Sequence, residues 1–92
     1  VTPPGEAQLV VRDEFVGRGY GIPTDEMVEA VILCARLEGL LLDPVYYTGK
    51  AMAGLIGMIR RGGIAKKETV VFWHTGGTPA LFAYADTLRA SR

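Results

Sequence analysis

The segment Val70–Tyr84, with the sequence VVFWHTGGTPALFAY, constrains the fold more than any other part of the chain. The apolar run at 70–73 consists of β-branched and aromatic residues, which is typical of a strand covered on both faces. The Gly-Gly pair at 76–77 permits a sharp turn, and the Thr-Pro pair at 78–79 suits the N-cap and first position of a helix. In open α/β proteins such a turn is a place where anions and cofactors bind, although Gly-Gly before a helix is more often a plain turn.

The sequence predicts three helices. The first runs from Asp25 to Glu38, because Thr24 is a good N-cap and Gly39 is the usual residue just beyond a helix end. The second runs from about Gly49 to Arg61, and its mid-helix glycines indicate close packing against a sheet or another helix. The last covers about Pro79–Leu88, directly after the glycine turn.

The order of elements predicts the fold class. Short apolar strands are expected at Gln8–Arg12 and Leu40–Leu42, followed by the strand at 70–73, and helices alternate with them. A βαβαβα order with short links predicts an α/β fold, in which a parallel sheet layer is joined by right-handed crossovers.

Composition excludes several classes of protein. The chain has 92 residues, enough for one small domain, and ten Lys and Arg balance ten Asp and Glu, which argues against a nucleic-acid surface. Its single cysteine, Cys34, excludes an intrachain disulfide and fits a reducing, cytoplasmic compartment. The longest apolar stretch, Val45–Ile59, is interrupted by Lys50 and several glycines, so no membrane span is predicted. Residues 1–7 are linker-like and lack an initiator Met, so residues 1–92 are interpreted as the C-terminal segment of a longer polypeptide.

Hydroxyl groups cluster in the loops that could meet at the carboxyl edge of the predicted sheet. Three loops, at 17–23, 44–49 and 74–78, combine glycine with hydroxyl-bearing residues, namely Tyr20, Tyr46, Tyr47, Thr48, Thr75 and Thr78. Because ligands bind beyond the carboxyl ends of parallel strands, these loops predict a pocket for a polar small molecule.

Each candidate residue also has a structural interpretation. Tyr20 could equally be a packing residue, and the adjacent Tyr46 and Tyr47 would point in opposite directions if extended, so that at most one need face the site. His74 is interpreted as a hydrogen-bonded structural residue rather than an acid or base, and Lys50 as a solvated lysine rather than an anion ligand. The sequence contains no metal-ligand spacing and no Ser/His/Asp triad.

Five stretches carry a resemblance to a known family: GYGIP at Gly19–Pro23, ARLEG at Ala35–Gly39, LLDPVY at Leu41–Tyr46, GKAMAGLI at Gly49–Ile56 and HTGGTPALFAY at His74–Tyr84. Together they resemble the C-terminal part of the D-cysteine desulfhydrase and aminocyclopropane-carboxylate deaminase family of pyridoxal-phosphate enzymes, which has L-cysteate sulfo-lyases among its relatives. The resemblance covers about Val11–Ala85. It implies a tryptophan-synthase-β-like fold (fold type II), in which a parallel sheet and its flanking helices form three layers.

The resemblance also implies roles for residues. Tyr20 would line the substrate side of pyridoxal phosphate, and Tyr46 or Tyr47 would be the catalytic tyrosine that handles a proton. Thr48, Thr75 and Gly76 would bind the cofactor, with Thr75 near its pyridine nitrogen. The family pattern V-Y-T-G-K is one residue longer here, so that counting from the left selects Tyr46 and counting from the right selects Tyr47.

The implied reaction is α,β-elimination of sulfide or sulfite from a cysteine-like amino acid, which yields pyruvate and ammonia. The deaminase pattern has Glu where Thr48 stands, and a threonine cannot keep the pyridine nitrogen protonated, so aminocyclopropane-carboxylate deaminase is the second choice. A non-catalytic small-molecule-binding module is a third. In the family, the lysine that carries the cofactor and the main phosphate loop lie in the N-terminal portion. Residues 1–92 alone are therefore expected to be inactive, with the remainder of the parent chain and a second copy in a homodimer as partners.

Overall fold

The computed structural model describes residues 9–90. The chain forms helix α1 at Asp25–Glu38, helix α2 at Thr48–Arg60, a 3-10 turn at Thr78–Leu81 and a short helix α3 at Ala85–Arg89. The linker-like interpretation of residues 1–7 lies outside the described residues. None of the helices among residues 9–90 has the length and apolar character that crossing a bilayer requires.

Helix α1 has the predicted bounds, because both of its end signals are local. The Thr24 hydroxyl oxygen accepts a hydrogen bond from the Met27 N–H at 3.1 Å. At the other end Gly39 adopts φ 62°, the left-handed conformation that glycine tolerates best, and its N–H bonds back to the last turn.

Helix α2 lies within one residue of its predicted bounds at each end. Its mid-helix glycines do allow a close approach, but the neighbour is the ring of Phe15 rather than a sheet or helix. A Cβ added to Gly57 would lie 2.8 Å from the Phe15 ring, and one added to Gly54 would lie 3.2 Å from it. The segment before α1 is therefore held against α2 by an aromatic side chain that only glycine can accommodate.

The core lies between α1 and α2 and includes the link that joins them. Its most deeply buried apolar side chains are Met27 of α1 and Leu42 and Val45 of the link, all at 0% exposure. Burying one such side chain contributes about 1.5–3 kcal/mol to stability. Because Leu42 and Val45 flank Asp43 and Pro44, this core fixes the position of the loop that follows.

Residues 9–90 contain no β-strand, so the predicted segments at Leu40–Leu42 and 70–73, and the described part of Gln8–Arg12, form no sheet ladder there. The described residues do not cover 70–73 on both faces, since Val71 is 83% and Trp73 is 81% exposed. A strand is completed by hydrogen bonds to a neighbouring strand, and no such neighbour lies within the described residues. The three-layer parallel-sheet fold thus remains a prediction.

The predicted helix at Pro79–Leu88 is split into the 3-10 turn and α3. Thr78 is not an N-cap; its hydroxyl donates to the Leu41 carbonyl at 3.3 Å, while Gly77 precedes the turn with φ 87°. Tyr84 leaves the helical region at φ −114° and is the residue that immediately precedes α3. Tertiary contacts of Thr78 and Tyr84 thus replace the local capping that the sequence suggested.

Candidate functional site

A cleft of about 720 Å³ runs along one side of α2. Its walls come from the segment before α1, from the loops at 17–23 and 44–49, and from residues 70–75. The predicted site residues that line this cleft are Tyr20, Tyr46, Tyr47, Thr48 and Thr75. Gly76 follows Thr75 in the chain but does not line the cleft.

Three tyrosine rings form one side of the cleft. The ring centroids of Tyr20 and Tyr46 are 5.0 Å apart, and those of Tyr20 and Tyr47 are 6.1 Å apart. Tyr46 and Tyr47 would point in opposite directions only in an extended segment, and here their ring centroids lie 6.3 Å apart. The backbone bends at 44–47 instead of extending, which turns both rings toward Tyr20.

The two adjacent tyrosines differ in their surroundings. Tyr46 is half-buried and packs against the core, whereas Tyr47 is 53% exposed. The Tyr47 hydroxyl lies 3.0 Å from the Tyr20 hydroxyl, within hydrogen-bonding distance. Tyr46 therefore has the position of a packing ring, and Tyr47 places its hydroxyl at the cleft.

Tyr84 completes the tyrosine cluster and was not singled out by the sequence. Its ring meets that of Tyr46 edge-on, with centroids 6.4 Å apart, and its hydroxyl donates to the Gly21 carbonyl at 2.9 Å. Gly21 has φ 75°, and a Cβ there would lie 3.3 Å from the Tyr46 ring. The only signal for Tyr84 was its position at the end of the HTGGTPALFAY stretch.

Two phenols of the cluster have a raised pKa and stay protonated at neutral pH. The hydrogen bond with Tyr47, followed by desolvation, raises the pKa of Tyr20 above its ordinary value. The neighbouring Tyr46 hydroxyl, followed by desolvation, raises the pKa of Tyr84. Since an ordinary tyrosine pKa is already about 10, both groups are neutral and can donate a hydrogen bond at pH 7.

Asp43 organises the loop that carries the two adjacent tyrosines. It is completely buried, and its carboxylate accepts hydrogen bonds from the backbone N–H groups of four consecutive residues, Val45, Tyr46, Tyr47 and Thr48. Burial opposes ionisation, but the hydrogen bonds from Thr48, Tyr47 and Tyr46 outweigh it and lower the pKa of Asp43. Asp43 was not among the residues predicted for the site, although Asp-Pro shortly before a helix start is a turn signal.

Thr48 is also held by Asp43. Its hydroxyl oxygen accepts from the Asp43 N–H at 2.8 Å and donates to Asp43 Oδ2 at 2.9 Å, and the residue is 1% exposed. Thr48 lines the cleft at the first residue of α2, with its hydroxyl engaged by the carboxylate.

Lys50 is not the solvated lysine that the sequence suggested. It is 8% exposed, and its Nζ donates to the Val16 carbonyl and the Gly19 carbonyl, each at 2.7 Å. In the folded chain the start of the 17–23 loop lies against α2, so the Lys50 ammonium binds backbone carbonyls instead of water.

The glycine turn at 74–78 packs against Leu41 and Asp43, just before the 44–49 loop. His74 Nε2 donates to the Leu41 carbonyl at 2.8 Å, because His74 Nδ1 already accepts from the Gly76 N–H at 3.1 Å. Both ring nitrogens of His74 are thus hydrogen-bonded, as its structural interpretation expects. A Cβ on Gly77 would lie 2.8 Å from the Asp43 Cβ, so the turn can approach Asp43 only because glycine stands there.

The arrangement suits a planar aromatic ligand with polar substituents. Phenol rings and apolar side chains such as Leu55 and Phe72 provide apolar walls, while the hydroxyls of Tyr20, Tyr47 and Thr75 provide polar contacts. Lys50 lines the cleft, but its ammonium is already bound to two carbonyls.

A family model described as pyridoxal-phosphate dependent enzyme matches residues 1–76 of the chain. The matched region contains the 17–23 and 44–49 loops and α2, and it ends at Gly76 inside the glycine turn. It therefore includes the residues to which the sequence assigned catalytic, substrate or cofactor roles, whereas Thr78 of the glycine turn lies beyond it.

Proposed function

Because the chain belongs to the family of pyridoxal-phosphate-dependent enzymes, we propose that the protein carrying it catalyses α,β-elimination from a cysteine-like amino acid. The leaving group is sulfide or sulfite, and the products are pyruvate and ammonia. The observation that carries this proposal is the convergence of Tyr20, Tyr47 and Thr75 on one cleft in a chain of this family.

The residues of the cleft fit the cofactor of the family. When bound, pyridoxal phosphate would act as an electron sink that makes the α-proton of an amino acid acidic, and the electron pair left by that proton can then expel a β-substituent. The volume of about 720 Å³ and the aromatic wall suit the pyridine ring together with a small amino acid. In this proposal Thr48, Thr75 and Gly76 lie on the cofactor side, and the tyrosines lie on the substrate side.

The paired phenols define what the chain contributes to the reaction. Tyr20 Oη and Tyr47 Oη form a pair that holds one shared hydrogen bond and retains a second proton to donate. In this proposal the pair orients the carboxylate or the leaving group of the substrate, and the Tyr47 hydroxyl exchanges a proton with the substrate. The half-buried ring of Tyr46 supports the pair from the core side.

The surroundings of Thr48 favour elimination over deamination. A cofactor ring whose nitrogen faces no carboxylate is a weaker electron sink, which suits a substrate with a good β leaving group better than a cyclopropane ring. Thr48 offers no carboxylate, and the nearby Asp43 carboxylate is occupied by backbone N–H groups and by the Thr48 hydroxyl. These contacts support D-cysteine desulfhydrase or L-cysteate sulfo-lyase activity over aminocyclopropane-carboxylate deaminase activity.

The exposed apolar run at 70–73 bears on how this chain fits into a larger protein. We place it as the C-terminal segment of a three-layer α/β protein of cytoplasmic location, in which the remainder of the protein covers residues 70–73. The exposure of Val71 and Trp73, in a run that is typical of a buried strand, supports that placement. A homodimer is part of the same proposal.

The test is product analysis with the full-length protein. D-Cysteine, L-cysteate and aminocyclopropane-carboxylate are incubated side by side with the cofactor-loaded protein, and the 2-oxo acid is identified by mass spectrometry. Pyruvate from either of the first two substrates supports elimination and identifies the leaving group. Formation of 2-oxobutanoate from the third would mean deamination, and would show that the argument from Thr48 is wrong. A protein that binds no cofactor and forms no 2-oxo acid would instead be a binding module.

A further inference from the structure

We propose that Lys50 is the positioning residue for Tyr20: its ammonium holds the 17–23 loop against α2 and thereby places the Tyr20 phenol at the cleft. This inference rests on the proposed function only in so far as Tyr20 faces a substrate. The physical contact itself can be tested without any reaction.

The first support is the environment of the ammonium. Lys50 Nζ lies 2.7 Å from both the Val16 and the Gly19 carbonyl oxygens, and the residue is 8% exposed. Within residues 9–90 no carboxylate forms an ion pair with it. The ammonium is thus largely withdrawn from water, and among the described residues its partners are backbone carbonyls rather than a carboxylate.

The second support is that this placement is unfavourable on its own. Removing an ammonium from water is costly unless hydrogen bonds replace its hydration. Lys50 also lies in the first turn of α2, where the helix dipole disfavours a positive charge. The two carbonyl contacts offset the lost hydration and the unfavourable helix dipole. Because these contacts exist only when the loop lies against α2, they stabilise that position of the loop.

The third support is the weakness of the loop itself. Gly17, Gly19 and Gly21 all have positive φ, and the hydrogen bond described within the loop is the 3.3 Å contact from the Ile22 N–H to the Gly19 carbonyl. A glycine-rich segment of this kind loses much conformational freedom when it is ordered, so it requires tertiary contacts to hold it. Lys50 binds it before Tyr20, and the Tyr84 hydroxyl binds the Gly21 carbonyl after Tyr20.

The geometry connects these contacts to the site. Tyr20 lies between the two held positions, and its hydroxyl meets that of Tyr47, the residue that immediately precedes α2. Lys50 and Tyr47 thus attach one loop to the start of one helix at two points. Loss of the ammonium would free the loop on the side of Gly19 and misplace the Tyr20 phenol.

The experiment is limited trypsin digestion of the full-length protein, since Arg18 is an exposed trypsin site inside the loop. Cleavage after Arg18 is compared in the wild type, Lys50→Met and Lys50→Arg, with Lys67→Met as the matched control at an exposed lysine. We expect Lys50→Met to raise the rate at Arg18 about tenfold, because two charge-assisted hydrogen bonds that oppose local opening are lost. Lys50→Arg keeps a cation and should fall between the wild type and Lys50→Met. Cleavage after the exposed Arg61 serves as the internal reference for general loosening.

The link to Tyr20 is tested by a double-mutant cycle in kcat/KM with Lys50→Met and Tyr20→Phe. If Lys50 acts through Tyr20, Lys50→Met should lower kcat/KM about tenfold in the wild type and less than about threefold in the Tyr20→Phe background. Unchanged cleavage after Arg18 in both Lys50 variants would overturn the proposal, as would additive effects in the cycle. If Lys50→Met does not fold, as judged by its helical circular dichroism, Lys50→Arg carries the same comparison. A wild type with no elimination activity would contradict the proposed function, and the digestion would still decide whether Lys50 holds the loop.

Discussion

The hydroxyl groups of Tyr20 and Tyr47 lie 3.0 Å apart although 27 positions separate the two residues in the chain. Each tyrosine is brought there by a different buried ionic group. The Lys50 ammonium binds the loop of Tyr20, and the Asp43 carboxylate binds the backbone of Tyr47. The candidate site therefore contains a pair of phenols that are positioned by two buried charged side chains, Lys50 and Asp43.

The pairing of Tyr47 with Tyr20 predicts which of the adjacent tyrosines matters for turnover. Tyr47→Phe removes the hydroxyl that meets Tyr20 and should lower kcat/KM of elimination by about 10²-fold, a typical loss for a group that transfers a proton. Tyr46→Phe keeps the packed ring and should cost much less. Steady-state kinetics on the full-length protein measure both variants. A larger loss in Tyr46→Phe would assign the catalytic role to the buried ring instead.

The hydrogen bonds of Asp43 predict a large stability effect. Asp43→Asn replaces one carboxylate oxygen by an NH₂ donor, which would face backbone N–H groups that have no other described acceptor. We expect unfolding free energy to fall by about 2–3 kcal/mol, the scale for lost hydrogen bonds to a buried charged group. Urea denaturation measures the change. The matched control is Asp13→Asn, at an exposed carboxylate, which should change stability by less than about 0.5 kcal/mol.

The lowered pKa of Asp43 predicts how stability changes with pH. A carboxyl whose pKa is lower in the folded state than in the unfolded state stabilises the fold above the unfolded pKa. That contribution is lost as the pH falls from the ordinary aspartate value, about 4, through the lower folded pKa. Unfolding free energy measured from pH 7 to pH 2 should therefore decline below about pH 4, and the decline should be smaller in Asp43→Asn. Equal acid sensitivity in the two proteins would assign the effect to other carboxyls.

The contact between Gly77 and Asp43 predicts that this glycine tolerates no side chain. Gly77 has φ 87°, and an added Cβ would lie 2.8 Å from the Asp43 Cβ, so Gly77→Ala combines backbone strain with a clash. Gly62→Ala is a matched control, because Gly62 has φ 79° but a Cβ added there would meet no atom within 4 Å. We expect about 1 kcal/mol of destabilisation for Gly62→Ala from strain alone and about 2–4 kcal/mol for Gly77→Ala. Thermal unfolding distinguishes the two, and equal losses would mean that the clash relaxes.

The positions of α1 and α2 were predictable to within one residue, because the signals for a long helix are local. The bounds of α1 follow from Thr24 and Gly39, which act on groups within one helical turn. The three hydroxyl-bearing loops were also recognisable, since glycine next to tyrosine or threonine marks segments that can approach a ligand. The loop motifs further pointed to a pyridoxal-phosphate enzyme, and that family is the one the chain belongs to.

The roles of Asp43, Lys50 and Tyr84 were not predictable, because each depends on partners brought close only by folding. Asp43 accepts from a backbone that bends instead of extending, and that bend also turns Tyr46 and Tyr47 to the same side. Lys50 and Tyr84 reach carbonyls in a loop 31 and 63 positions away.

The sequence by itself determined the two main helices, the family and the residues that could form the site. Tertiary structure decided which of those residues meet, because a buried charge or a phenol is oriented by the groups that replace its water, and these come from distant segments. The predicted strands also depend on tertiary structure. A strand is defined by hydrogen bonds to another segment, whereas a helix forms its backbone hydrogen bonds within itself.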